Sequence, residues 1–309
     1  MRDDYEQVND TVLELYLAGR YDEALGLVDQ ALGRIPDRSA DLVYSAACVL
    51  AAAGRPGEAL DRLVAAEARG DWWHRRLLEE DDDLVPLREL DGFAGLLERS
   101  AARADASQSE LAAVLVEAPD GDPRGVLVVL HGADQTAAHA LAAWRAAVGA
   151  GFVLVAVEST QRNTPYYRSW PDPVVADRDV TRAYDGLPAS YRSLPLVVGG
   201  FSAGGRQALR WALTGEPGDP VGFVVVAPAA DPGVLPEPSG AAGRGVRGLV
   251  VLGEQDDDVG EDATASYRHL SGAGLRVELD LVPGLGHDYP DDFADRLRAA
   301  LEPMTITRQ

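Results

Sequence analysis

The chain of 309 residues is long enough for two domains of ordinary size, and its apolar fraction of 46% supports a sizeable core. Its 50 acidic residues against 28 basic ones give a formal net charge of −22, which disfavours nucleic acid and anionic membranes as partners. Cys48 is the only cysteine, so the chain forms no internal disulfide, as is usual in a reducing compartment. The first residues lack the basic start and apolar core of a signal peptide, and no apolar run reaches the ~20 residues of a membrane span. These features predict a cytoplasmic protein.

Residues 1–100 show only helical patterns, and part of this region repeats. The pattern Ala-Gly-Arg-x-x-Glu-Ala-Leu occurs at residues 18–25 and again at 53–60, so Gly54 follows Gly19 at an offset of 35 (54 − 19). Each copy predicts a helix, a tight turn at the glycine and a second helix. The pattern resembles tetratricopeptide repeats, whose period is ~34 residues. The resemblance implies either a groove that binds a protein partner or a scaffold that packs on the rest of the chain or self-associates.

The composition changes after the repeats. The helical domain is predicted to cover residues 1–100, and the polar, Ala- and Ser-rich residues 101–110 are predicted to be a linker. From residue 111 onward, short apolar segments alternate with helical patterns. The predicted strands are 111–117, 126–130, 153–157, 194–198, 222–226, 249–252 and 275–282, and the predicted helices include 137–148, 174–184 and 293–301. This alternation predicts a mostly parallel, doubly wound α/β sheet within residues 111–309.

A glycine-rich motif lies where one predicted strand meets a helical pattern. The motif is Gly200-Phe201-Ser202-Ala203-Gly204, a G-x-S-x-G sequence. Between a strand and a helix it predicts a nucleophile elbow, a sharp turn that raises the serine hydroxyl above the sheet. Ser202 is therefore the predicted nucleophile. The amide of Ala203, at a helix N-terminus, is a predicted donor to an oxyanion.

Groups that activate a serine follow two later strands. His287 lies in a Gly-rich turn after strand 275–282 and is the predicted general base. Asp256, three residues after the glycine that ends strand 249–252, is the predicted orienting acid. Asp257 and Asp258 follow directly, and only one of the three carboxylates can face the histidine. The chain order serine, aspartate, histidine is that of one class of serine hydrolase.

The first buried strand ends in a His-Gly pair, His131-Gly132. Such a pair turns the backbone so that the following N–H points at the substrate oxygen. This predicts that the amide of Ala133 joins that of Ala203 in an oxyanion hole. The side chain of His131 is predicted to be structural, because the donors are backbone groups.

With these motifs, residues 111–303 resemble the α/β-hydrolase superfamily, and within it the carboxylesterase/phospholipase-like predicted esterases. The resemblance implies hydrolysis of a small acyl ester or thioester through an acyl-enzyme, with no cofactor and no metal. Tyr166, Tyr167 and Trp170, in an irregular segment, are candidates for a pocket that binds the acyl or alcohol group, and Arg162 or Arg168 for binding a substrate carboxylate. Ordinary loop packing is the alternative for all five.

Two other functions fit the same sequence. The first is a serine peptidase on the same fold, which would need a means of anchoring a peptide. The second is an interaction protein whose repeats, in residues 1–100, recruit a protein partner while the hydrolase domain has a secondary role or none. The complete set of Ser202, Asp256 and His287 argues against the second alternative, because a degenerate hydrolase would usually lack one member.

Overall fold

The computed structural model describes residues 4–107 and 111–305, and the chain divides into two compact units. The first unit comprises Met1–Glu110 together with Arg162–Tyr167, and the second comprises Leu111–Gln161 and Arg168–Gln309. The hexapeptide 162–167 is therefore part of the helical unit, although the residues that precede and follow it in the sequence belong to the second unit. Within the described ranges, no helix combines the length and the apolar character that a membrane crossing requires.

The first unit is built from helices. Its helices are α1 Asp4–Leu17, α2 Tyr21–Arg34, α3 Ser39–Ala52, α4 Pro56–Arg69, α5 Arg75–Glu80 and α6 Phe93–Ser107, with 3-10 turns at Pro36–Arg38 and Asp82–Leu87. The sequence repeat is visible in the turns that follow α1 and α3. Gly19 and Gly54 have φ values of 69° and 75°, and the arginine after each glycine donates its N–H to the carbonyl five residues back. Both helix pairs are thus closed by the same left-handed turn.

Small residues line the interior of the first unit. Ala24, Ala46 and Ala59 are fully buried, which allows the helices to approach closely. Trp73 is also fully buried, and its Nε1–H donates to the carbonyl oxygen of Ala40 at 3.0 Å. Trp73 therefore belongs to the core of this unit.

The linker was predicted at residues 101–110, but most of this range is helical. Helix α6 continues to Ser107, so residues 101–107 are helical, and residues 108–110 lie outside the described part of the chain. The reason is burial and helix propensity, since Ala101 and Ala104 are buried and alanine is the strongest helix former.

The second unit is a seven-stranded sheet with helices. Its elements are β1 Val114–Glu117, β2 Gly125–Leu130, α7 Ala137–Ala143, α8 Ala146–Gly149, β3 Phe152–Val157, α9 Pro173–Asp185, α10 Ala189–Arg192, β4 Leu196–Phe201, α11 Ser202–Thr214, β5 Gly222–Val226, α12 Ser239–Arg244, β6 Arg247–Gly253, α13 Gly260–Gly272, β7 Arg276–Val282 and α14 Phe293–Leu301. The strand order is β1-β3-β2-β4-β5-β6-β7. Strand β1 pairs antiparallel with β3, and all other pairs are parallel. The predicted mostly parallel α/β sheet is confirmed.

The register of the sheet brings the candidate residues to one edge. Gly200 pairs with Leu130, Phe201 with Val226, and Gly253 with Val282. These pairs lie at the carboxyl ends of parallel strands, which is where such sheets carry their binding and catalytic groups. Separate apolar clusters pack on the two faces of the sheet and hold these strand ends in place.

The predicted helix 137–148 is interrupted. It consists of α7 and α8, and the chain bends at Trp144, which is fully buried. The indole ring lies directly on Gly199, where a Cβ would come closer than 3.0 Å to the ring. The break therefore allows a large side chain to reach the sheet where the strand offers only a glycine.

Candidate active site

The G-x-S-x-G motif forms a sharp strand-to-helix turn, the geometry that the sequence predicts for it. Strand β4 ends at Phe201 and helix α11 begins at Ser202, with no residue between them. Ser202 has a φ of 49°, a left-handed conformation that is uncommon for a residue with a Cβ. A Cβ on Gly200 would come closer than 3.0 Å to the backbone of Gly204, and one on Gly204 would come closer than 3.0 Å to the carbonyls at the end of β2. Both positions therefore need glycine for space, which is why the turn can be so sharp.

The backbone at the serine is tied to a neighbouring segment, and the next amide lies at a helix N-terminus. The carbonyl oxygen of Ser202 accepts a hydrogen bond from the N–H of Ala229 at 3.1 Å, which ties the elbow to the segment after β5. Ala203 lies in the first turn of α11, where amide groups have no partner within the helix. Its N–H is therefore available to an anion, and the positive end of the helix dipole favours negative charge there.

A buried histidine orients the amide of Ala133, the second predicted oxyanion donor. Nε2 of His131 lies 3.1 Å from the N–H of Ser159, so Nε2 accepts and the ring proton is on Nδ1. Nδ1 lies 2.7 Å from the carbonyl oxygen of Gly132 and donates to it. That carbonyl shares a planar trans peptide with the N–H of Ala133, which must point the opposite way. His131 thus fixes the direction of the Ala133 amide, and in the described part of the chain no protein acceptor pairs with that amide.

His131 must be neutral to do this. Burial lowers its pKa to about 4, because the protonated ring would lose its hydration. A protonated ring would also offer a second N–H to the amide of Ser159, which is itself a donor. The prediction that this side chain is structural agrees with the hydrogen bonds that it makes.

Residues 131–135, called the oxyanion loop here for the role predicted for Ala133, have further supports. The N–H of Gly132 donates to Oε1 of Gln135 at 3.0 Å, and the N–H of Asp134 donates to the carbonyl of Arg168 at 2.9 Å. Nε1–H of Trp170 donates to the carbonyl of His131 at 2.8 Å. Trp170 is 1% exposed, so it packs behind the loop and has almost no surface to offer a substrate.

The predicted acid and the predicted base meet beyond the ends of β6 and β7. Oδ2 of Asp256 lies 2.9 Å from Nδ1 of His287, and Oδ1 of the same carboxylate accepts the N–H groups of Asp258 and Val259. The Asp256 side chain is fully buried, whereas Asp257 and Asp258 are exposed. The structure therefore hydrogen-bonds Asp256 to the histidine, while a carboxylate oxygen of Asp258 lies within 4.8 Å of both side chains. Because Nδ1 donates to the carboxylate, Nε2 of His287 is left free to accept a proton.

Phe201 links Ser202, the predicted nucleophile, to His287, the predicted base. The ring of Phe201 lies 5.0 Å from the ring of His287, which brings the histidine beside the elbow. Phe201 also stacks on Tyr289 at 4.8 Å. The G-x-S-x-G pattern predicts no role for Phe201, because its variable positions accept many residue types.

The remaining candidates from the irregular segment divide between the two units. Tyr166, Tyr167 and Arg162 belong to the first unit, where the guanidinium of Arg38 lies 3.4 Å from the Tyr166 ring centroid. Arg168 is in the second unit, but its guanidinium is engaged by the carboxylate of Glu158 and the carbonyl of Ser159. A substrate-binding role for the two tyrosines stays a prediction.

Two groups in the described residues have ligand atoms close enough for a metal ion. One is Asp256, Asp258 and His287, and the other is Cys48, Asp81 and Asp83 in the first unit. In the first group, Nδ1 of His287 is already used by its hydrogen bond to Asp256. In the second, hydroxyl groups of Tyr44 and Tyr16 donate to the two carboxylates.

Comparisons with known proteins agree with this architecture. Residues 4–108 match a family model described as "A/B hydrolase-like, N-terminal domain". The crystal structure of an uncharacterized protein from Bacillus cereus ATCC 10987 is similar over 97% of this chain and 99% of its own, with 25% identity and a TM-score of 0.54. A search of curated proteins finds no significant match. The tetratricopeptide resemblance of residues 1–100, and a binding role for them, stay predictions.

Other solved structures match a smaller share of the chain. Zea mays acyl-protein thioesterase 2 is 20% identical over 63% of this chain and 99% of its own, with a TM-score of 0.50. A carboxyl esterase from Bacillus coagulans is 14% identical over 62% of this chain and 94% of its own, with a TM-score of 0.52. At these identities the likeness concerns the fold alone. The sheet, its strand order and these matches give the second unit the α/β-hydrolase fold.

Proposed function

We propose that the protein is a serine hydrolase that cleaves a carboxylic ester or thioester through an acyl-enzyme. The observation that carries the proposal is the hydrogen bond of 2.9 Å between the buried Asp256 and His287, beside an elbow that holds Ser202 at a φ of 49°. The names of the similar structures, an acyl-protein thioesterase and a carboxyl esterase, favour an ester or thioester of an acyl group as the substrate.

The first half of the reaction forms the acyl-enzyme. Oγ of Ser202 attacks the carbonyl carbon while Nε2 of His287 takes the hydroxyl proton. The carbonyl oxygen becomes an oxyanion that accepts hydrogen bonds from the amides of Ala133 and Ala203. When the tetrahedral intermediate collapses, the alcohol or thiol leaves with the proton from His287. Asp256 stabilises the imidazolium throughout and keeps the ring in the required tautomer.

The second half returns the enzyme to its starting state. A water molecule gives its proton to His287 and attacks the acyl carbon, and the same two amides bind the second oxyanion. Collapse releases the carboxylic acid, and His287 returns the proton to Oγ of Ser202. No group outside the protein and water is needed to balance these steps.

Active-site labelling tests the proposal. We expect a fluorophosphonate probe to label the wild type, and Ser202→Ala to abolish both labelling and turnover of p-nitrophenyl esters. Ser239→Ala is the matched control, because Ser239 also begins a helix of the second unit, and it should label like the wild type. Short and long acyl esters, an acyl thioester and peptide amides then define the substrate class. A folded wild type that takes up no probe would refute the proposal, and preferential cleavage of peptides would favour the peptidase alternative.

A further inference from the structure

We propose that Phe201 is a positioning residue that holds His287 in line with Ser202, and that Tyr289 holds Phe201 in turn. The inference rests on the proposed serine-hydrolase function. It assigns a role to the variable residue before the nucleophile, which makes no hydrogen bond in the proposed mechanism.

The base needs a second restraint. The hydrogen bond between Nδ1 of His287 and Asp256 fixes one end of the imidazole, but a single hydrogen bond allows the ring to turn about that bond. The side chain of His287 is 23% exposed, and contact with water does not restrict the rotation of its ring. The ring of Phe201, 5.0 Å away at an interplanar angle of 47°, packs against the imidazole and limits this rotation.

The restraint is tied to the nucleophile. Phe201 is the last residue of β4, paired with Val226 of β5, and is bonded directly to Ser202. Its ring also fills the space beside Gly132, where a Cβ would come closer than 3.0 Å to its Cδ1. The same ring thus contacts the base and the oxyanion loop while its backbone carries the nucleophile.

The ring of Phe201 is itself fixed. It stacks on Tyr289 with a centroid distance of 4.8 Å and an interplanar angle of 26°. The hydroxyl oxygen of Tyr289 accepts a hydrogen bond from Nε1–H of Trp144 at 3.1 Å, and Trp144 lies on the sheet at Gly199. A chain of packed rings therefore runs from the sheet to the catalytic histidine.

The ring also acts on charge. His287 becomes a cation in each half of the proposed reaction, and an aromatic face within ~6 Å attracts a cation. Replacing Phe201 by an aliphatic side chain of similar size should remove this attraction and loosen the imidazole. Both effects concern the step in which the proton moves, so they should appear in kcat and in the pH profile more than in KM.

The test compares Phe201→Leu with Phe293→Leu. Phe293 packs on Trp144 and Tyr289 in the same cluster, one ring further from the histidine, so it is a matched control for lost packing. We expect Phe201→Leu to lower kcat for a p-nitrophenyl ester by about 10- to 100-fold, with KM within about twofold. The midpoint of the acid limb of kcat/KM should move to lower pH by about half a unit. Phe293→Leu should lower the melting temperature without moving that midpoint.

Two further variants sharpen the test. Tyr289→Phe keeps the stacked ring but removes the hydroxyl, and it should lower kcat by less than Phe201→Leu does. Phe201→Met carries the same prediction as Phe201→Leu if the leucine variant is insoluble. A wild-type acid limb in folded Phe201→Leu or Phe201→Met, with kcat unchanged, would overturn the proposal. The proposal would also be overturned if Phe293→Leu shifted the midpoint of the acid limb of kcat/KM as far as Phe201→Leu does. Labelling of wild-type Ser202 is measured separately, so failure of the proposed function is distinguishable from failure of this one.

Discussion

The two units use glycine for opposite reasons. In the helical unit, Gly19 and Gly54 have positive φ values, and a Cβ added at either would meet no atom within 4 Å. In the sheet unit, Gly200 and Gly204 do not have positive φ values, but an added Cβ would come closer than 3.0 Å to backbone atoms. The repeat therefore needs the conformational freedom of glycine, and the active site needs its small size. The same Gly→Ala substitution should thus damage different properties in the two units.

The largest effect is expected for Gly204→Ala. The new methyl group would collide with carbonyl groups at the end of β2, and backbone cannot move aside as a flexible side chain can. The elbow and the oxyanion loop would separate, so that the serine and one oxyanion donor are displaced together. We expect kcat/KM for an ester to fall by about a thousandfold, since a displacement of ~1 Å or the loss of one donor each costs ~100-fold or more. Steady-state kinetics and the rate of fluorophosphonate labelling measure the loss. Wild-type activity in a folded variant would show that the close approach at Gly204 is not required.

The elbow was predictable because its signals are local. A strand pattern, two glycines, a serine and a helix pattern follow one another directly, and each carries its own conformational preference. The strands were found for the same reason, since parallel strands buried on both faces are continuous apolar runs. The pairing of His287 with Asp256 was predicted from chain order and from the rule that strands display catalytic groups at their carboxyl ends.

What the sequence did not predict depends on contacts between distant segments. The strand order and the antiparallel pairing of β1 are set by long-range packing that no local pattern records. The assignment of residues 162–167 to the helical unit depends on contacts such as that between Thr164 and Asp41. The role inferred for Phe201 comes from ring contacts with residues far along the chain.

The two units also differ in how deeply they bury a histidine, and the pH dependence of stability should reveal the difference. Burial lowers the pKa of His131 from 6.5 to about 4. His74, the N-cap of α5, is only half-buried, and its partial burial also lowers its pKa. Between pH 6.5 and 4 the unfolded chain binds a proton at His131 that the folded chain does not. Stability contributed by this site is therefore complete above pH 6.5 and is lost as the pH falls toward 4, by about 3 kcal/mol.

Urea unfolding at several pH values measures this loss. We expect His131→Asn to flatten the dependence of the unfolding free energy on pH between 6.5 and 4, because the titrating group is removed. His74→Asn is the matched control, since asparagine is a good N-cap and the half-buried ring contributes less. If both variants showed the wild-type pH dependence of the unfolding free energy, the buried, neutral state of His131 would be ruled out as the source of that dependence.

The smallest effect is expected for Gly54→Ala, the counterpart of Gly204→Ala in the helical unit. Alanine has room at this position, so the whole cost comes from holding an L-residue at a φ of 75°. That conformation costs about 1 kcal/mol, so the melting temperature should fall by only a few degrees. Ester turnover at 25 °C should remain within about twofold of the wild type, because the change leaves the elbow untouched. Gly54→Asn should recover part of the loss, since asparagine tolerates left-handed conformations better than alanine does. A drop in kcat/KM comparable to that of Gly204→Ala would instead mean that the helical repeat controls the active site, and the division of roles between the two kinds of glycine would fail.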